Sequence, residues 1–227
     1  MVGGIRLLWI FIGMGLMVAM AWADGPPKAK VDVVEDTLHG HTIADSYRWL
    51  EDASSADSQA FVRDEMAYTR SLLDPLPGRD RIHDRLAQLL AIGTIGTPQI
   101  AGPYFFYTRR EGNQNQPVLL VREGLHGKDR SLVDANQMSA DGTVALDWWF
   151  PSDDGKYVAY GTSASGSENS TLYLIETATG KLLPDKIDRA RIAQVAWKKD
   201  NSGFFYGRNP KKGSVPEGDD VYYLHIF

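Results

Sequence analysis

Two hydrophobic patterns divide the chain. In the first part, apolar side chains recur at helical spacing. Phe61, Glu65, Tyr68 and Leu72 fall on one face, with Val62, Met66 and Leu73 beside it, which predicts an amphipathic helix over 57–73. Ser54–Ser58 supplies N-cap residues ahead of it, and Asp74-Pro75-Leu76-Pro77-Gly78 stops it. Ile82, Leu86, Leu89 and Leu90 predict a second helix over 80–91. Past Gly93 the apolar runs become short, aromatic and β-branched, with turn residues between them, which is a strand and hairpin pattern.

The strand region repeats itself. GPYFFYTR (102–109), GKYVAYGT (155–162) and NSGFFYGR (201–208) are aromatic strands. Their last tyrosines are Tyr107, Tyr160 and Tyr206, separated by 53 and 46 residues. A second strand follows each: VLLVRE (118–123), TLYLIE (171–176) and VYYLHI (221–226). SLVD (131–134) and KLLPD (181–185) add a third strand in two units, and ALDWWF (145–150) and IAQVAW (192–197) add a leading one. A unit of about four strands at this period predicts propeller blades, over about 97–140, 141–188 and 189–227. Propellers have about four to eight blades, so three cannot close a ring. The last run, Val221–Phe227, stops inside a strand pattern with no polar cap, so the chain is expected to be a fragment of a longer protein.

Composition narrows the class. The chain has 227 residues, 43% of them hydrophobic and 23% charged, which excludes a fully disordered chain. The absence of cysteine excludes a disulfide framework, thiolate metal sites and a cysteine nucleophile. A net charge of −5, with no basic block longer than Lys211-Lys212, argues against nucleic acid as a partner. At the N-terminus Arg6 precedes an apolar run, Leu7–Met20, and then Ala21-Trp22-Ala23. That pattern predicts a secretory signal peptide over 1–23, cleaved after Ala23, with no stable membrane association afterwards. Export to a bacterial periplasm or secretion follows, with an uncleaved anchor as the competing reading. The expected organisation is a leader over 1–23, a helical segment over 24–92 and an incomplete propeller over 93–227.

Several long segments together resemble one family. ADSYRWLED (44–52), NQPVLLVREGL (115–125), LVDANQMSADGTVAL (132–146), SDDGKYVAYGTSASGSE (152–168) and AWKKDNSGFFYGR (196–208) are similar, in order, to segments of the prolyl oligopeptidases, which are serine peptidases. The resemblance runs from about Val31 to Tyr223. Ser46, Ala135 and Asn169 depart from it, standing where the family pattern has proline, proline and tryptophan, and Leu224–Phe227 also leave it. The resemblance implies a mostly β fold: part of a seven-bladed β-propeller, preceded by a short α-helical segment of an α/β-hydrolase domain. It implies a parent enzyme that cleaves short proline-containing peptides after proline, with the propeller gating access. It also places the catalytic Ser, Asp and His beyond this chain, in a missing C-terminal hydrolase domain, so the chain alone is expected to be inactive. The alternative is a non-catalytic exported propeller-like binding module.

The remaining chemistry is sparse. Gly161-Thr162-Ser163-Ala164-Ser165-Gly166 approximates a nucleophile elbow, but it follows a strand and leads into another strand, so it is expected to be a hairpin loop. His39 and His41 form an H-x-H pair with no third ligand in reach of the sequence pattern, and no metal or other cofactor is expected. Trp148, Trp149, Phe150 and Trp197 could stack on a carbohydrate, yet at strand spacing they are expected to fill blade cores. Tyr47, Arg48, Trp49 and Glu51 are expected to dock the N-terminal segment by packing and ion pairing rather than to touch substrate.

Overall fold

A computed structural model describes residues 25–191, 193–216 and 218–227. The leader expected over 1–23 lies outside the described residues. Among those described, no helix is long and apolar enough to cross a membrane. The chain divides into two units, one ending at His83 and the other beginning at Asp84.

The first unit opens with a hairpin of β1 (Val34–Leu38) and β2 (His41–Asp45), paired in register from Val34↔Asp45 to Leu38↔His41. Its two-residue turn, His39-Gly40, has both residues at positive φ (52° and 82°), which matches the right-handed twist of the strands. A 3-10 turn at Arg48–Glu51 leads to α1 (Ala56–Leu73). Ser55 caps α1 by accepting from the Ser58 amide at 3.2 Å, satisfying one of the donors a helix start leaves free. The helix α2 (Arg79–Leu90) carries the chain across the division between the units.

The second unit is a series of antiparallel sheets. In the first, β5 (Tyr104–Arg110), β6 (Val118–Glu123) and β7 (Arg130–Asp134) form a meander. Two short strands pair along β5: β3 (Thr94–Ile95) against its end and β4 (Gln99–Ala101) against its start. Together they act as one interrupted strand, broken where Pro98 has no amide to donate. The second sheet has the order β8 (Val144–Pro151), β9 (Tyr157–Ala164), β10 (Thr171–Glu176), β11 (Leu182–Ile187).

The third segment differs from the full four-stranded unit its sequence suggests. Among the described residues it contains only two-residue ladders: β12 (Ala196–Trp197) with β13 (Phe204–Phe205), and β14 (Gly207–Arg208) with β15 (His225–Ile226). Between β13 and β14, Tyr206 exchanges both backbone hydrogen bonds with Phe227 (3.1 and 3.0 Å). The run read as a strand from Val221 begins instead in a 3-10 turn, Asp219–Val221, behind Gly218 at φ 85°. Asn209 Nδ2 donates to the Asp220 carbonyl at 3.1 Å and helps hold that turn.

Side-chain alternation decides how the sheets stack. Phe106, Leu119, Val121, Leu132 and Val133 of the first sheet pack with Val158, Tyr160 and Ile175 of the second. From the other face of the second sheet, Ala159, Leu172 and Leu174 pack with Trp197, Phe204 and Tyr206 of the third segment. The middle sheet is therefore apolar on both faces, and VAY and TLYLI read as continuous apolar runs rather than an alternation. Trp149 joins the first cluster and Trp148 the second, as neighbours on a strand must. Trp197 also lies in the second cluster and donates its indole N–H to the Phe150 carbonyl at 3.2 Å.

The turns of adjacent sheets interlock. The Gly102 amide donates to the Asp153 carbonyl at 3.2 Å. A Cβ on Gly102 would lie 2.2 Å from the Asp154 carbonyl oxygen, and one on Gly155 would lie 2.3 Å from that of Ala101. Both glycines have positive φ, 55° and 72°. The β4–β5 and β8–β9 turns thus approach too closely for any side chain at these two positions.

Candidate functional site

The residues expected to dock the N-terminal segment cluster around the 3-10 turn. The Asp45 carboxylate accepts from the Tyr47 amide (2.8 Å) and from Arg48 Nε (3.3 Å). Arg48 also pairs with Asp36 on β1, so one guanidinium ties the turn to both strands of the hairpin. These contacts hold the Asp45 carboxyl below its usual range, the Tyr47 amide contributing most, and raise Arg48 through its hydrogen bonds to Asp36 and Asp45. Trp49 is half-buried. Its indole N–H donates to the Lys30 carbonyl at 2.8 Å, and its ring meets Phe61 of α1 edge-on at 5.9 Å. Ser58 Oγ donates to the Trp49 carbonyl at 2.9 Å. Trp49 therefore fixes the extended arm before β1 to the first turns of α1. Tyr47 and Glu51 are exposed, and among the described residues no ion pair reaches Glu51.

The serine-rich loop has no nucleophile geometry. Ser163 is buried at the end of β9 and donates to Asp147 Oδ1 at 3.0 Å. Ser165, at φ 53°, lies in the hairpin turn before β10. The motif thus joins strand to strand, whereas an elbow joins strand to helix. His39 and His41 are exposed at the β1–β2 turn, and His83, His126 and His225 are exposed elsewhere. Among the described residues no group of three or more His, Asp or Glu could hold a metal ion.

Two polar clusters were not legible in the sequence. On the first sheet, Asp129 receives Arg109 Nη1 (3.1 Å) and Arg122 Nε (2.6 Å), while Arg122 Nη2 donates to the Tyr107 hydroxyl at 3.2 Å. The Arg122 guanidinium is the main reason the Asp129 carboxyl sits below its usual range, and burial is the main reason the Tyr107 phenol is raised. These side chains cover the small apolar group Tyr107, Val118 and Leu120 on the face turned away from the second sheet. They also line a cavity of about 350 Å³ with Phe105 and Leu125. On the second sheet, Asp147 accepts from Ser163 and, at 2.6 Å, from Ser170. It borders a cavity of about 450 Å³ lined also by Trp148, Phe150, Glu168 and Arg191. Only the placement of residues 147 and 163 on neighbouring strands, with 170 just before β10, carries that association, and periodicity does not reveal it.

Comparison with known proteins fixes the family. The family model described as prolyl oligopeptidase, N-terminal beta-propeller domain, matches residues 26–226. The chain belongs to the prolyl oligopeptidase family. A prolyl endopeptidase of Elizabethkingia meningoseptica is 32% identical over 194 residues, covering 85% of this chain and 27% of the relative. Prolyl oligopeptidase A of Amanita bisporigera is 29% identical over 240 residues, covering 90% of this chain and 30% of the relative. A solved structure from a study of two prolyl endopeptidases and their inter-domain dynamics superposes with a TM-score of 0.80 at 32% identity, over 88% of this chain and 30% of that one. The chain therefore spans under a third of the length of these relatives. It corresponds to the N-terminal propeller portion of a prolyl-oligopeptidase-like peptidase, a mostly β partial propeller.

Proposed function

We propose that the polypeptide carrying this propeller portion is a serine-type peptidase that cleaves short peptides after proline. The observation that carries this reading is the match to the prolyl oligopeptidase propeller over 26–226, together with 32% identity to a prolyl endopeptidase. The propeller's part is to limit which substrates reach the catalytic serine. The nucleophile, acid and histidine come from polypeptide outside these residues. In support, Ser163, the serine whose motif comes nearest an elbow, donates to a carboxylate and not to an imidazole. Acyl transfer by serine needs a base that can take its proton, and a carboxylate is a weaker base for an alcohol than the imidazole that serine peptidases use. Among the described residues, Arg48 and Trp49 serve docking, Tyr47 contributes only its backbone amide, and the exposed Glu51 side chain takes no part. Export rests on Arg6, Leu7–Met20 and Ala21-Trp22-Ala23, and mature protein should begin at Asp24 on N-terminal sequencing.

The test is activity-based labelling of the complete native polypeptide. It should hydrolyse a proline-containing chromogenic peptide, and a fluorophosphonate probe should attach to a serine outside residues 1–227. Labelling that disappears on Ser163→Ala would overturn the assignment.

A further inference from the structure

The cavity beside Asp147 has a charge pattern that the proposed peptidase role leaves open. The β8–β9 register shifts between Leu146 and Trp148, so Asp147 sits on a bulge, a device that re-aims a side chain. Its two carboxylate oxygens are each held by one buried serine, Ser163 and Ser170. A carboxylate has about four acceptor positions, so about two remain open. The side chain is exposed, and among the described residues no Lys, Arg or His lies within ion-pair distance of it. The other charges lining the cavity cancel, because Arg191 pairs with Glu168 at 2.7 Å. One uncompensated, positionally fixed negative charge is left. Two aromatic rings, Trp148 and Phe150, stand beside it with centroids 5.9 Å apart and planes 38° from parallel.

We propose that this cavity binds a primary ammonium group of a peptide, either its α-amine or a lysine side chain. The ammonium offers three donors, which suit the open acceptor positions of Asp147, and its charge is attracted to aromatic ring faces. A metal ion would need more oxygen ligands than this single free carboxylate supplies. An anion would meet Asp147 unfavourably. The cavity's volume accommodates one residue and its flanking backbone. The proposal rests on the peptidase reading and sharpens it, since it predicts that peptides are held by a positive group in addition to the scissile proline.

Calorimetric titration of the complete polypeptide with proline-free pentapeptides avoids turnover and tests the site directly. One peptide has a free α-amine and no lysine, a second is N-acetylated without lysine, and a third is N-acetylated with one lysine. At least one ammonium-bearing peptide should bind about tenfold more tightly than the neutral one, and which one does so identifies the source. Asp147→Asn, which keeps an acceptor for one serine and offers the other an N–H that its hydroxyl oxygen can accept, should abolish the preference without changing the neutral peptide. Phe150→Leu should reduce it two- to threefold. Equal binding of all three peptides, or a preference that survives Asp147→Asn, would overturn the site while leaving the peptidase reading intact. Absence of all peptide binding together with absence of proline-peptide hydrolysis would instead sink the peptidase reading. In that case n-butylammonium chloride still decides the site: a shift of the Trp148 indole N–H resonance that is lost in Asp147→Asn supports it, and no shift overturns it.

Discussion

At the scale of single residues, the clearest consequences come from groups with several partners. Asp129 is bonded by Arg122 and Arg109, and its carboxyl lies below the usual range chiefly because of Arg122. The unfolded carboxyl titrates near pH ~4, so the stabilisation is present above that value and is lost as pH falls through the lower folded value. Asp129→Asn should cost about 1 kcal/mol or less at pH 7 and should flatten the acid limb of a denaturation-versus-pH curve below about pH 4. An unchanged acid limb would show that Asp129 is not linked to folding. Trp49→Phe keeps the edge contact with Phe61 and removes the bond to Lys30, so it should cost about 1 kcal/mol. Trp49→Ala should cost about 2 kcal/mol, less than a fully buried tryptophan, because the ring is half exposed. Chemical denaturation of both variants separates the two contributions. Of these contacts, the sequence showed DSYRWLED as a charged aromatic unit. It could not show that the partner of Trp49 is a backbone carbonyl at Lys30, since any residue type supplies one.

At the scale of elements, legibility followed the strength of the local signal. Both helices lie within one residue of the spans their periodicity predicts, and VLLVRE and TLYLIE coincide with β6 and β10. The β1–β2 hairpin was missed: VEDTL and HTIAD hold few apolar residues, and His39-Gly40 is a weaker turn signal than Asn-Gly. The shortened β12 and β15 also escaped prediction. Local turns at Ala190–Ala193 and Asp219–Tyr222 take up backbone donors that a longer ladder would use. The interlocked turns allow a paired test. Gly155→Ala forces a left-handed backbone and a collision with the Ala101 carbonyl, so it should cost more than about 2 kcal/mol. Gly166→Ala has a similar φ of 69° with no neighbour within 4 Å, and it should cost about 1 kcal/mol. Equal melting-temperature shifts for the two would refute the close approach.

At the scale of the whole molecule, the repeat visible in the sequence became sheets that share cores. Leu172 is fully buried between the middle sheet and the third segment, and Leu172→Ala should cost about 2–5 kcal/mol. Leu182, 49% exposed on β11, should cost under about 1 kcal/mol when changed to Ala. Thermal unfolding of the two variants distinguishes a core shared between sheets from sheets that are merely adjacent. The polar pairings stayed hidden at this scale too, because Asp147 meets Ser163 and Ser170 only through strand register. The interlocked turns constrain which rearrangements of the gene the protein can survive. Lengthening either the Gly102 turn or the Gly155 turn by one residue breaks a fit that involves both, so viable insertions there should appear only as compensated pairs. The opposite end of the middle sheet has no such coupling at Ser165–Ser167, where Gly166 faces open space. A library of short random insertions selected for soluble expression should be depleted at residues 102–103 and 153–156 and should accept members after Ser165.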